Sequence, residues 1–200
     1  MSFTLQGAIK GKYDGLAPTF KATLGALTSY EYDIHGILGG RVSDFQFGSI
    51  YWSAATGPHV VAHGIWGKYN SLNPTFKISL GMPTSDEHDL EGVPGGRVND
   101  FQFGSIYWSA ATGSHVVAHG IWQKYTGLSL ADRKHLGMPT SDEQGPPTGR
   151  VNTFQGGSIT WSSAGGSIVY LNPTPPPLVR PPHIPPLPLP APILHLPSYF

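Results

Sequence analysis

The chain has 200 residues and carries 12 Lys and Arg against 12 Asp and Glu, so its formal net charge at pH 7 is zero. This balance excludes the basic surface typical of nucleic-acid binding and the polybasic patch that attracts an anionic membrane. With no cysteine, the chain has neither a disulfide framework nor thiol chemistry, although that leaves its compartment open. The composition favours a neutral polymer or a small polar molecule as the ligand.

The N-terminal segment does not read as a secretion signal. Residues 1–10 lack a basic stretch followed by an apolar one, so either a signal has been removed or the chain is not exported by that route. No apolar run approaches the roughly 20 residues of a spanning helix, and we expect no membrane span. Residues 3–6 stand in the register of residues 59–62, which predicts a cap strand within residues 1–6.

Most of the remaining chain is an internal repeat. Residues 39–57 recur almost unchanged at 95–113, an offset of 56, and a third copy at 149–163 comes three residues early. Such a unit cannot bury its apolar face alone, so successive units stack and share a core. Three equivalent copies argue for binding, because catalysis seldom needs three equivalent sites. We predict one elongated domain over 1–171 with units at about 7–57, 64–113 and 120–171.

The pattern within a unit changes from strand-like to helix-like, and the second copy serves as the example. Residues 97–103 and 105–109 predict a hairpin around Gly104, and residues 114–119 predict a third strand. Residues 120–128 then predict a short helix, because their apolar residues fall at i, i+4 and i+7. The predicted fold class is therefore mainly β with short helices, built as three antiparallel meanders with one short helix each.

A loop follows each predicted helix and carries the motif by which the repeat is recognisable. It reads Leu-Gly-Met-Pro-Thr-Ser-Asp-Glu at 80–87 and again at 136–143, between an Ile-Trp-x-Lys-Tyr helix and a Gly-Arg-Val-Asn-x-Phe-Gln-x-Gly-Ser-Ile-x-Trp hairpin. In these motifs, over about residues 3–171, the chain resembles the LGFP-repeat family. Methionine stands at Met82 and Met138 where the family name has phenylalanine, and the loop of the first copy departs further.

The resemblance implies a β-rich repeat region with no catalytic residues of its own. Repeats of this family occur on cell-envelope proteins of mycolic-acid bacteria, including mycoloyltransferases and wall hydrolases, where they look like anchors for the wall glycan. A cell-wall glycan or another polysaccharide is therefore the implied partner. The implied location is the cell envelope or the exterior if a signal has been removed, and otherwise the cytoplasm. Nothing in the chain resembles an attached enzyme domain, so we expect no enzymatic activity and no cofactor.

Recurring arginine, aromatic and acidic residues are the candidates for ligand binding. Guanidinium groups can clamp a carboxylate or a sugar hydroxyl, and flat aromatic faces can stack on pyranose rings. The candidates are Arg41, Arg97, Arg150, Tyr51, Tyr107, Trp52, Trp108, Trp161, Asp86, Glu87, Asp142 and Glu143. Structural alternatives stay open: each arginine could instead brace a glutamate of its own unit, and tryptophan is commonly a core residue. Because tyrosine and tryptophan alternate along the strand, one of each pair should point outward.

Two further patterns suggest chemistry that their spacing argues against. His59 and His63 are four residues apart, but on a strand their rings would stand about 13 Å apart, too far to share one metal ion, and the same holds for His115 and His119. The adjacent acids of the loop do not face each other across a sugar, as the paired acids of a glycosidase do. We therefore expect no metal site and no hydrolase, with histidines that form hydrogen bonds and acids that cap turns or pair with arginine.

Residues 172–200 hold 12 of the 20 prolines and are predicted to sample polyproline II. Such a tail is a semi-rigid spacer, a ligand for a protein with an aromatic groove through residues 185–188, or an aliphatic segment that lies back along the repeats. Three functions remain. The leading one is a non-catalytic module that binds carbohydrate or cell-wall polymer, and the alternatives are a cytosolic lectin-like protein and a scaffold that recruits partners through the tail.

Overall fold

The computed structural model describes residues 3–173, which form eleven strands and six helices in three units. The first unit contains α1 (Gly7–Gly15), α2 (Pro18–Leu24), β1 (Tyr32–Asp33), β2 (Arg41–Phe45), β3 (Gly48–Ser53) and β4 (Gly57–Ala62). The second contains α3 (His63–Ser71), α4 (Pro74–Leu80), β5 (His88–Asp89), β6 (Arg97–Phe101), β7 (Gly104–Ser109) and β8 (Gly113–Ala118). The third contains α5 (His119–Thr126), α6 (Leu130–Leu136), β9 (Gly149–Phe154), β10 (Gly157–Ser162) and β11 (Gly166–Leu171).

Each unit ends in an antiparallel meander whose strands pair in chain order. The arginine that opens the hairpin lies opposite the tryptophan of the next strand, as in the pairs Arg41–Trp52 and Arg97–Trp108. The predicted hairpin and third strand are therefore confirmed. The third sheet has three strands because the shortened loop leaves room for only a single bridge, between Gln144 and Val151, where β1 and β5 lie in the other units.

Two helices precede each meander, where the sequence predicted one. The second helix begins at a capped position, since Asn73 Oδ1 accepts a hydrogen bond from Phe76 N at 2.8 Å and Pro74 occupies the first turn of α4. It ends at Gly81, whose φ of 80° closes the helix in a conformation that favours glycine. The Leu-Gly of the predicted loop is thus the C-terminus of a second helix.

The first helix of the second and third pairs is shared between two sheets. Ile65 and Tyr69 of α3 are buried in one cluster with Val42 and Tyr51 of the first sheet and Phe101 of the second. The Tyr69 ring meets Tyr51 edge-on at 5.4 Å and stacks on Phe101 at 5.2 Å, measured between ring centroids. The same arrangement recurs in the next cluster around α5. A unit therefore completes its core only with its neighbour, as the repeat predicted.

Two predictions about the strands are corrected. Residues 3–6 are not a strand, because the described residues hold no meander ahead of them to pair with, as β3 pairs with β4. His63 and His119 do not belong to strands, because each begins a helix with a positive φ, 52° and 51°. The predictions for residues 174–200 fall outside the described residues.

Candidate functional site

The three predicted arginines form ion pairs within their own units. Arg41 Nε lies 2.5 Å from Glu31 Oε1, and Arg97 Nε lies 2.8 Å from Glu87 Oε1. Arg150 Nε lies 3.5 Å from Glu143 Oε1, so this ion pair is looser than the other two. Hydrogen bonding to Glu87 raises the pKa of Arg97 despite partial burial. The structural alternative for the arginines therefore accounts for their recurrence, and Arg97 and Arg150 also line clefts described below.

The predicted tyrosines lie in the core. Tyr51 is 5% exposed and Tyr107 is 2% exposed, and burial raises the pKa of both hydroxyl groups. The prediction that these rings stack directly on a ligand is therefore corrected, although Tyr51 also lines one cleft. The alternation along the strand holds, with the tyrosine buried on one face and the tryptophan half-buried on the other.

The predicted tryptophans are half-buried against the helix of the same junction. A Cβ on Gly64 would lie 2.7 Å from the Trp108 ring, and one on Gly120 would lie 2.4 Å from the Trp161 ring. Glycine at these positions lets the helix approach the indole closely. Trp52 packs on the cluster formed by α1, α2 and the first sheet, where Ala8 stands at the position of Gly64. These rings therefore have a packing role, and Trp161 also lines a cleft of about 380 Å³ together with Arg150 and Glu143.

The predicted acids of the loop hold neighbouring units together. Asp86 Oδ1 accepts a hydrogen bond from Val60 N of β4 at 2.9 Å, and its other oxygen pairs with Lys12 of α1 at 2.5 Å. Asp142 repeats both contacts one unit later, with Val116 N and Lys68. Burial raises the pKa of Glu143, and Arg150 opposes that shift. The two adjacent acids of each loop have separate partners, since Asp86 pairs with Lys12 and Glu87 with Arg97.

An exposed aromatic surface recurs in two units and was missed by the sequence reading. We call the residues Phe20, Phe47 and His63 the first platform. The equivalent residues Phe76, Phe103 and His119 form the second platform. Phe47 and Phe103 are each 54% exposed in the hairpin turn. The His63 ring lies edge-on to Phe20 at 6.0 Å, and His119 lies edge-on to Phe76 at 6.1 Å. The signal in the sequence that could have revealed this surface is the aromatic residue in each hairpin turn, because it lies outside the alternation of the strand.

Backbone contacts fix each platform. His63 N donates to Phe47 O at 2.8 Å, and Phe47 N donates to Leu24 O at 3.0 Å. The left-handed conformation of His63 is unfavourable for a residue with a side chain by about 1–2 kcal/mol, and Gly7 occupies the same position in the first unit with φ 51°. Both later copies keep histidine there, which packing alone does not require.

The third unit has no platform. Asp132 replaces Phe76 at the offset of 56, and beyond the three-residue deletion, where the offset is 53, Gly156 replaces Phe103 and Asn172 replaces His119. His135 Nε2 lies 2.8 Å from Asn172 O in that unit, so a hydrogen bond occupies the place of the ring contact.

A cleft adjoins each platform at the junction between units. The first, of about 320 Å³, is lined by Leu16, Phe20, Asp86, Glu87 and Arg97, among others. The second, of about 230 Å³, is lined by the equivalent residues Leu72, Phe76, Asp142 and Glu143. Phe20 and Phe76 belong to both platform and cleft. The structure thus brings the predicted Arg97, Asp86 and Glu87 to one edge of an aromatic surface.

The described part of the chain offers no metal centre, since residues 3–173 contain no group of three or more histidine and acidic residues able to hold an ion. His59 Nε2 instead lies 2.8 Å from Thr56 O, and His115 Nε2 lies 2.9 Å from Thr112 O. None of the helices in this range is long and apolar enough to cross a membrane.

Stacked units of a helix pair and a meander, with a surface that recurs from unit to unit, define a tandem-repeat protein. The family model for the LGFP repeat matches residues 24–73, 80–132 and 136–171, and the chain belongs to the LGFP repeat family. Each match begins at the last residue of a second helix, so the family motif includes the helix-ending glycine and the meander that follows. A comparison with curated proteins gave no significant match.

Proposed function

We propose that the protein is a non-catalytic module that binds carbohydrate, in particular cell-wall polysaccharide, through its repeats. The observation that carries this proposal is the pairing of an exposed aromatic platform with a polar junction cleft in two successive units. A pyranose ring presents an apolar face and a rim of hydroxyl groups. The platform offers exposed aromatic rings, and Glu87 and Arg97 offer an acceptor and a donor at its edge.

Multiplicity supports a polymer as the ligand. Two equivalent sites on one rigid array can engage two segments of the same chain, and the second contact then forms at a high effective concentration. Each site can therefore be weak while the whole protein is retained. The zero net charge fits a ligand that is held by stacking and hydrogen bonds more than by charge. A location in the cell envelope follows from this proposal as its natural setting.

The test is retention of the full chain on insoluble cell-wall preparations and purified polysaccharides, with free sugars as competitors. Phe47→Ser together with Phe103→Ser should reduce apparent affinity about tenfold or more, and each single change should have an intermediate effect. Leu38→Ser is the matched control, since Leu38 is fully exposed and lies outside both platforms. Binding of the double variant as tight as that of the unchanged protein would refute the role of the platforms. No retention on any polymer would instead favour the scaffold alternative.

A further inference from the structure

A second kind of cleft, of about 500 Å³, opens between the first sheet and the helix pair α3–α4. Aromatic walls come from Tyr32 of β1 and from Trp66 and Tyr69 of α3. Its volume falls within the roughly 300–1,000 Å³ of small-molecule sites. The polar groups in its lining are Thr28, His35, Asp44, Gln46, Asn70 and Lys77. This cleft lies apart from the two platforms, and none of the residues predicted from the sequence apart from Tyr51 contributes to it.

Lys77 is a cation without a carboxylate partner among the described residues. Its Nζ lies 5.2 Å from the centroid of the Tyr69 ring and donates to Asn70 O at 3.3 Å. Burial lowers the pKa of Lys77, so an anion in the cleft would restore the interactions that the ammonium group has lost to desolvation.

The equivalent position one unit later shows what a closed version of this site looks like. Arg133 replaces Lys77 and Glu91 replaces His35, and the two side chains approach to 3.4 Å. The second unit thus supplies its own anion from the chain. At the cleft beside the first sheet, His35 of the first unit and Lys77 of α4 line the same surface and leave that anionic position to a ligand.

Asp44 limits the charge that the ligand can carry. Its carboxylate oxygens accept hydrogen bonds from Ser49 Oγ at 2.6 Å and from Tyr32 OH at 2.7 Å. A fixed carboxylate in the same cleft repels a dianion such as phosphate more than a monoanion. The hydrogen bond also fixes the Tyr32 ring at the mouth of the cleft, where burial and Asp44 raise the pKa of its hydroxyl to about 12.

We propose that this cleft binds one sugar unit carrying a single carboxylate, a uronate, with the carboxylate on Lys77 and the ring against Trp66 and Tyr32. Asn70 and Gln46 supply hydrogen bonds to the hydroxyl groups. The inference goes beyond the proposed function, because it assigns a different site with its own ligand class and does not depend on the platforms.

The experiment titrates the full chain with glucuronate, glucose and acetate, following amide chemical shifts by NMR. Glucuronate should bind with a dissociation constant on the order of 1 mM, and glucose and acetate at least about tenfold more weakly. Lys77→Met should weaken glucuronate binding by about tenfold or more, since a charge-assisted contact is lost. Equal binding of glucose and glucuronate, or of acetate and glucuronate, would overturn the proposal.

A matched control comes from the repeat itself. Lys21 occupies the position of Lys77 in α2, with its Nζ 5.1 Å from the Tyr13 ring, but it does not line this cleft. Lys21→Met should leave glucuronate binding unchanged, and an equal loss in the two variants would refute the assignment.

A second variant guards against simple loss of folding. His35→Glu with Lys77→Arg reproduces the ion pair that the second unit already tolerates, so it should stay folded and lose glucuronate binding. Retained binding in that variant would overturn the proposal. Phe47→Ser with Phe103→Ser should leave glucuronate binding intact, so that failure of the platforms and failure of this site can be told apart.

Discussion

The buried amide of Asn99 joins the first two units, and its removal should destabilise the array. Asn99 Nδ2 donates to Val60 O of β4 at 3.0 Å and to Ser85 O of its own loop at 2.9 Å. Asn152 repeats this arrangement at the next junction. The first unit has Ser43 at the same position, and its buried Oγ has no hydrogen-bond partner among the described residues.

The size of the effect follows from the groups left behind. Asn99→Ser removes two hydrogen bonds, each worth about 1 kcal/mol net, and leaves two carbonyl groups without this donor. Asn99 Oδ1 is itself buried without a partner, so its removal offsets part of that loss. We expect the free energy of unfolding to fall by about 2–3 kcal/mol. For a chain of this size, that corresponds to a midpoint lowered by about 4–12 °C.

Thermal and urea unfolding followed by circular dichroism measures this change, with Ser43→Ala as the control. Ser43→Ala should shift stability by less than about 0.5 kcal/mol, because no hydrogen bond is lost. Asn99→Ser should also broaden or split the transition, since it weakens one junction of a stacked array. If Asn99→Ser and Ser43→Ala lower the midpoint equally, the amide does not link the units and the reasoning is wrong.

Two further changes test the packing and the charge of the units by the same unfolding measurement. Gly120→Ala places a Cβ 2.4 Å from the Trp161 ring and should lower stability by about 1–3 kcal/mol, whereas Gly67→Ala, with no atom within 4 Å, should be neutral or slightly stabilising. Burial has the largest single effect and lowers the pKa of His88, but the hydrogen bonds to Asp100 and to Asp89 O, together with the negative charge of Asp100, outweigh it, so the pKa is raised. The contribution of His88 to the free energy of unfolding is therefore fully present below pH 6.5, the ordinary pKa of histidine. It is lost as the pH rises through the raised pKa of the folded state. His88→Tyr should flatten that pH dependence by about 0.5 kcal/mol, the small size reflecting solvent exposure, and an unchanged pH profile would contradict this.

The strands were predictable because their alternation and turns are local features. The buried face of a strand was not predictable, because α3 and α5 both contact β7 and cover the sheet from two sides. Under such cover Tyr107 and its neighbours form a nearly continuous buried run. A sheet with two covered faces does not show which of two alternating aromatic residues is accessible.

The second helix was missed for a different reason. At seven residues α4 and α6 are too short for an apolar period to stand out, and their evidence lies in the caps at Asn73 and Ser129. The break at His63 was equally hidden, because a non-glycine residue with a positive φ has no sequence signature when the residues before it continue a strand pattern.

Identity between repeats is a poor guide to function in this protein, because stacking alone demands it. Arg97, Trp108 and Asp86 recur since each holds a unit to its own loop or to its neighbour. Function is better sought where a copy keeps more than packing requires or departs from its neighbours. Left-handed histidines kept beside exposed phenylalanines meet the first condition, and Lys77, which lacks the ion pair that Arg133 forms one unit later, meets the second. Both lie on surfaces that the stacking of units leaves open, which is where a binding module must present its chemistry.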